Sequence, residues 1–351
     1  MERARQLPSD PSLLTTESAQ ENCQPTEVLF FAPKFFGYDV EIAEALTARG
    51  AIVHCHSYLP SSSNLVKAIV RVRRELVAYY TIKHFREIIT KLQHRAISHI
   101  FIIKGETITK HILQMLRSAF PRARIILYLW DSIKNYPNVE ENIGEVDKTL
   151  SFDPADSVTN RTVAFRPLFF SRSFGSAPQL GRGDFDYDVS FIGTLHTDRL
   201  RILNELEDQF RKLNLSFKKI YFLRTSLHYY WGKLTNPAYR IHQASDFVTT
   251  PVSKGAVQEI FFKSRVIVDI QHPRQEGLTM RTVEALGSRR KLITTNASIR
   301  SYDFYSPENI QIIGRDGIAL TAEFFKTPAV EVPEPVYQKY SIDGWLDSIF
   351  S

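Results

Sequence analysis

Apolar runs of five to seven residues, too short for core helices, recur along this chain, and most lead through a polar turn into an amphipathic stretch. That alternation constrains the fold more than any other feature. A strand buried on both faces reads as a continuous apolar run, and parallel strands are joined by crossovers that are usually helices. The predicted class is α/β, with two Rossmann-like doubly wound domains and an interdomain cleft.

Predicted strands occupy residues 27–33 (EVLFFAP), 52–58, 99–104, 124–130, 148–152 and 163–170. Between them, helices are predicted over 39–49, stopped by Gly50, and over 109–119. A long basic amphipathic helix is expected over 64–95, broken near 79–81. The segment 171–185 holds seven Gly, Ser or Pro residues in fifteen and reads as a linker between domains at 26–170 and 186–332. In the second domain the strands are 187–192, 219–223, 265–270, 291–295 and 309–313, with helices over 198–213, 279–288 and 317–325. Residues 1–25 form a polar lead-in expected to be disordered, and 333–351 end in an apolar-aromatic tail helix.

Charge is unevenly placed. Residues 65–95 carry eight Lys or Arg and two acids, a surplus equal to the +6 of the whole 351-residue chain. The balanced remainder argues against a protein that coats nucleic acid. Lys67, Arg71 and Arg74 fall on one helical stripe, either a solvated face or a surface drawn to anionic lipid. Two cysteines, Cys23 and Cys55, fit a reducing compartment, and the longest apolar run, 125–130, is far short of a membrane span. The expected location is cytoplasmic, at most peripheral to a membrane.

Ligands of open α/β sheets collect at the carboxyl ends of strands. After the first strand of the second domain come Gly193 and Thr194, then Arg199. A small residue there lets amides approach an anion, and Arg199 adds a fixed charge; the same residues also make a plain turn. The densest constellation spans 269–286 (DIQHPRQEGLTMRTVEAL). A strand enters a polar loop with His272 and Glu276, reaches Gly277 and Leu278, and opens a helix at Thr279. The first amides of that helix form an anion site, and Arg281 suits a diphosphate through its bidentate fork. Glu284 lies where a carboxylate accepts both hydroxyls of a ribose. In the plain alternative, Thr279 is a cap and Arg281–Glu284 a surface pair. For a general base the first domain offers Asp39, Glu106 and Asp131 at strand ends, with Lys104 on the same side. Asp131 is the most base-like by position, and it competes with a capping role toward Asn135. His196 is a second-rank candidate beside His272.

The phrases FIGTLHTDR, YLWDS and HPRQEGLTMRTVEALGSRRKLITTN resemble spore-maturation-type glycosyltransferases found with lipopolysaccharide and capsule biosynthesis genes, a branch of the GT-B fold. The resemblance covers about residues 27–350 and is most specific over 269–296. It implies a nucleotide-sugar substrate, a glycan or lipid-linked acceptor, no metal and no cofactor. It also implies that Glu284 binds ribose and Glu276 faces the sugar. A non-catalytic nucleotide-sugar-binding protein and a nucleotide-sugar epimerase of the same architecture are the alternatives.

Overall fold

Six of the predicted strands form one sheet, its inner strands covered on both faces and its edge strands, at Ile52–His56 and Val163–Phe165, partly exposed. The computed structural model describes residues 26–34, 36–58, 75–178 and 184–351. In the first half, β1 (Glu27–Phe31), β2 (Ile52–His56), β3 (Ile97–Ile103), β4 (Arg124–Leu129), β5 (Lys148–Ser151) and β6 (Val163–Phe165) pair in the order β2-β1-β3-β4-β5-β6. Every pairing is parallel. Leu29, Phe31, Ile100, Ile102 and Leu127 point to one face, under α2 (Glu75–Leu92) and α3 (Lys110–Ala119). Val28, Phe30, Phe101, Ile126 and Tyr128 point to the other, under α1 (Tyr38–Ala48).

The second half repeats the design with β7 (Tyr187–Thr194), β8 (Phe217–Phe222), β9 (Phe247–Val248), β10 (Ser264–Asp269), β11 (Lys291–Thr294) and β12 (Ile310–Ile312). Their order is β12-β11-β10-β7-β8-β9, again all parallel. Short helices α4 (Glu140–Ile143), α5 (Pro154–Thr159) and α6 (Arg172–Gly175) close the first half. The second half then adds α7 (Arg199–Lys212), α8 (Ser226–Thr235), α9 (Lys254–Phe262), α10 (Met280–Gly287), α11 (Ala322–Lys326), α12 (Glu334–Lys339) and α13 (Ile342–Phe350). Strand order reverses between β1 and β3 and between β7 and β10, and a crevice opens at such switch points.

The last helix leaves the half that precedes it. Trp345 of α13 is fully buried on the first sheet, with ring centroids 4.5 Å from Phe169 and 4.9 Å from Tyr128. The chain therefore passes between the halves twice, and the two passages are bonded together. Phe170 N–H donates to the Tyr340 carbonyl at 2.8 Å, and Ile342 N–H to the Phe170 carbonyl at 2.9 Å. Arg172 adds bonds of 2.7 and 3.0 Å to Asp343. Gly287 lets α10 end against this seam, since a Cβ there would lie 2.5 Å from the Phe170 ring.

Several expectations differ from the structure for local reasons. The break near 79–81 is absent: α2 runs through it, with Thr81, Phe85 and Ile88 buried. The strand expected to reach 170 stops at Phe165, because Pro167 lacks the N–H a ladder needs. The helix expected from 317 begins at Ala322; Gly317 holds a φ of 64°, which a right-handed helix excludes. Part of the expected linker is helical, and Phe174 of α6 is buried 5.6 Å from the Phe261 ring. The lead-in 1–25 and Lys67, Arg71 and Arg74 lie outside the described residues. Among the described residues no helix is long and apolar enough to cross a membrane.

Candidate active site

The strand-end residues of both halves meet around one cavity of about 670 Å³. From the second half, Asp269 closes β10, and its Oδ2 accepts from the Thr279 and Thr282 hydroxyls, both at 2.8 Å. Thr279 caps α10 by accepting from the Thr282 N–H at 3.2 Å. These bonds fix the helix amino end beside the cavity, where its free N–H groups carry partial positive charge. Gly277 precedes the cap at a point of close approach: a Cβ there would sit 2.6 Å from the Phe152 ring of the first half. Leu278 is buried beside it.

Glu284 is buried and faces the cavity. Its Oε2 accepts from Arg281 at 2.8 Å, and its Oε1 accepts from the hydroxyl of Tyr38 in the first half. Burial pushes the Glu284 carboxyl up, against the pull of Arg281 and the Tyr38 hydrogen bond. The Tyr38 phenol is likewise held well above its ordinary value by burial and then by the Glu284 charge. Gly37, with φ 76°, makes the left-handed turn that starts α1 at Tyr38. Lys254, at the start of α9, lies 4.3 Å over the Tyr38 ring and bonds Glu41 of α1. An aromatic, a cation and two carboxylates thus join the halves at the cavity wall.

Gly193 and Thr194 end β7 and line the same cavity. Arg199, the first residue of α7, donates from Nε to the Ile270 carbonyl at 2.6 Å and from an Nη to the Thr194 carbonyl at 2.7 Å. It clamps the carboxyl ends of β7 and β10 together, and burial pushes its guanidinium down to about 10. His196 and His272 stand at the same two strand ends, with rings 5.6 Å apart, but neither lines the cavity. Burial, then Arg199, pushes His196 down to about 4. His272 accepts from the Arg274 N–H at 3.2 Å through Nδ1.

The first half contributes Lys34, Asp39, Lys104 and Asp131 to the lining. Asp131 Oδ1 accepts from Asn135 at 2.8 Å and from the Ser132 N–H at 3.1 Å, so one oxygen does cap the turn. Its Oδ2 lies 3.7 Å from Lys104. Burial alone pulls the Lys104 ammonium down, but Glu106 at 2.9 Å outweighs it and holds the value raised.

Glu276 also sits outside the lining. Its side chain is exposed, and its carbonyl accepts from Asn296 and Ser298. Lys291 lies in a second cavity, of about 290 Å³, and donates to the Phe324 and Thr327 carbonyls at 2.7 and 3.0 Å. Tyr38, Lys254 and Asp269 were not singled out from sequence. Asp269 was legible as the polar end of an apolar strand; Tyr38 and Lys254 carried no spacing signal. Against the expectation that the chain lacks an Asp-x-Asp spacing, one occurs over 184–188. It lies at the amino end of β7, where Asp186 pairs with Lys263 at 3.5 Å and Asp188 accepts from Ser216 at 2.8 Å. Among the described residues no three His, Cys, Asp or Glu side chains group as metal ligands.

By sequence, the chain matches no protein-family model and no curated protein. By fold it is similar to an α-glucosyltransferase in complex with UDP and a 13-mer DNA containing a central A:G mismatch. That match has a TM-score of 0.59 at 13% identity, covering 93% of this chain and 100% of the other. It is similar also to sucrose-phosphate synthase from Thermosynechococcus elongatus, with a TM-score of 0.62 at 10% identity over 93% and 98% of the two chains. A third is HepE from Anabaena in complex with UDP and glucose, with a TM-score of 0.56 at 10% identity over 93% and 98%. The architecture shared with them is GT-B: two Rossmann-like domains, here each a six-stranded parallel sheet, with a cleft between.

Proposed function

We propose that this chain is a metal-independent glycosyltransferase that moves a sugar from a nucleotide-sugar donor to a cell-surface glycan or lipid-linked acceptor. One observation carries the reading. A single cleft between the halves holds the amino end of α10, the cations Arg199, Lys254 and Arg281, and the buried carboxylate of Glu284. UDP in the complexes of two similar folds supports a nucleotide donor.

Glycosyl transfer needs a stabilised diphosphate leaving group and a held acceptor hydroxyl. In this reading the α10 amides, Arg281 and Lys254 take the diphosphate, with Gly193 and Thr194 allowing close backbone approach. Arg199 keeps the two strand ends in register and adds charge, and Glu284 exchanges the Tyr38 hydroxyl for those of ribose. The anomeric carbon–oxygen bond to the diphosphate breaks as the acceptor oxygen bonds to that carbon. The acceptor proton passes to Asp131, with Asp39 as the second candidate base. For Glu276, its place beside Gln275, a lining residue, is what supports a contact to the sugar. We place the enzyme in the cytoplasm, where the basic segment with Lys67, Arg71 and Arg74, continued by exposed Lys83, Arg86, Lys91 and Arg95, favours an anionic membrane face.

Calorimetric titration with a panel of nucleoside diphosphates and nucleotide sugars tests this. Saturable binding of at least one, weakened tenfold or more in Glu284→Ala, is expected. No saturable binding to any, or unchanged affinity in that variant, overturns the reading.

A further inference from the structure

The second half presents an apolar face that its own core does not use. On α8, Leu227, Tyr230, Trp231 and Leu234 stand at i, i+3, i+4 and i+7, one stripe of a helix, and each is between 59% and 76% exposed. Ile241, 73% exposed, follows in the same excursion between β8 and β9. The opposite face is fixed inward. Tyr229 is buried and donates to the His242 carbonyl at 3.0 Å, and Gly232 rests on the Tyr239 ring, where a Cβ would come within 2.9 Å. The helix therefore cannot turn its apolar stripe toward the core without losing both contacts.

Charge identifies what the stripe fits. The excursion 223–246 carries three exposed cations, Arg224, Lys233 and Arg240, against one exposed acid, Asp246, which lies 3.3 Å from His242; the Lys233 Nζ also donates to the Tyr229 hydroxyl at 3.0 Å. Leucines flanking a Trp–Tyr pair, with a net surplus of two cations around them, have the composition of a helix lying in a lipid interface: aliphatic groups enter the acyl boundary, aromatic rings sit at the headgroups, and cations meet lipid phosphates. A sugar platform needs no leucines; a protein groove reads the same helical spacing, and a dimer formed in place of vesicle binding separates that case from a bilayer.

We propose that α8 is a docking surface for an anionic phospholipid bilayer, separate from the basic segment of the first half. The helix follows β8, whose last residue, Phe222, lines the cleft, so docking sets the cavity beside the headgroups. The proposal does not depend on glycosyl transfer.

The test uses the full chain with phosphatidylcholine vesicles, with and without phosphatidylglycerol. Trp231 is the most exposed of the three tryptophans, so its insertion gives a blue shift in emission. Binding to anionic vesicles with that shift is expected, falling at least tenfold in a Leu227→Ser, Trp231→Ser, Leu234→Ser variant whose thermal melt is unchanged. A second variant, Arg224→Gln, Lys233→Gln, Arg240→Gln, keeps the apolar stripe intact and is expected to lose about fivefold per charge removed. The proposal is overturned by no vesicle binding, or by equal binding of the first variant. Loss only on charge reversal of Lys67, Arg71 and Arg74 overturns it too, as does a concentration-dependent dimer that forms in place of vesicle binding and that the serine variant abolishes.

Discussion

Tyr38, the first residue of α1, donates its hydroxyl to Glu284, which lies 246 positions later on the helix facing it across the cleft. A phenol of one half thus satisfies the carboxylate that the proposed function assigns to the ribose of a nucleotide. Removing the hydroxyl frees an acceptor but leaves a buried charge with one partner fewer. Tyr38→Phe is therefore expected to lower stability by about 1–3 kcal/mol in urea melts. The same variant is expected to bind nucleoside diphosphate severalfold more tightly by calorimetry. Weaker binding would mean that the hydroxyl belongs to the bound state instead.

The titration of Glu284 gives a second expectation. Its folded value is raised by burial, so nucleotide binding that needs the carboxylate weakens as pH falls, beginning above the ordinary carboxyl value of about 4.3. For stability the sign is reversed: a raised carboxyl contributes at low pH, and the contribution is lost as pH rises through the folded value. Affinity measured against pH is expected to show this step in the natural protein and to lose it in Glu284→Gln.

His196 sets a contrast on the same profile. With its imidazole pushed down to about 4, it is neutral throughout the physiological range. An NMR titration of its ring protons is expected to give a midpoint near that value, and a midpoint near the ordinary 6.5 would contradict the described burial.

Gly277 tests how closely the halves approach. An added methyl would lie 2.6 Å from the Phe152 ring and 3.0 Å from its carbonyl, so loop or strand must move. Gly277→Ala is expected to cost about 1–3 kcal/mol in a chemical melt and to weaken nucleotide binding, since the displaced loop carries the α10 amino end. Unchanged binding would detach that loop from the site.

Trp345 bears on the halves' shared stability. It is the largest side chain buried on the first sheet, from a helix at the far end of the chain. Trp345→Ala is expected to lose about 3–5 kcal/mol, measured by equilibrium unfolding.

Much of the sheet framework was legible because its signal is local. Val28 to Phe31 are apolar on both faces, so the run declares a buried strand without knowledge of its neighbours. The strand Phe247–Val248 offers only two residues and no run to read. The same division holds at the cavity. Glu284 stands out by its spacing from Glu276, with seven residues between them across a Gly-containing loop and the start of one helix. Tyr38 and Lys254 acquire meaning only when the halves close, because the contacts that define them join residues more than 200 positions apart. Arg199 was read as a charge for a ligand; its bonds to two strand-end carbonyls depend on β7 and β10 being neighbours, which the order of strands along the chain does not reveal.

The seam where Phe170 bonds Tyr340 and Ile342 also decides how the cleft can work. Two strands of chain run side by side there, tied by two backbone hydrogen bonds, so any opening of the cleft has to pivot about both. Opening must then lift Tyr38 from Glu284 and Glu41 from Lys254 together, as one latch. A single cut in either passage would still leave both halves hung on the other.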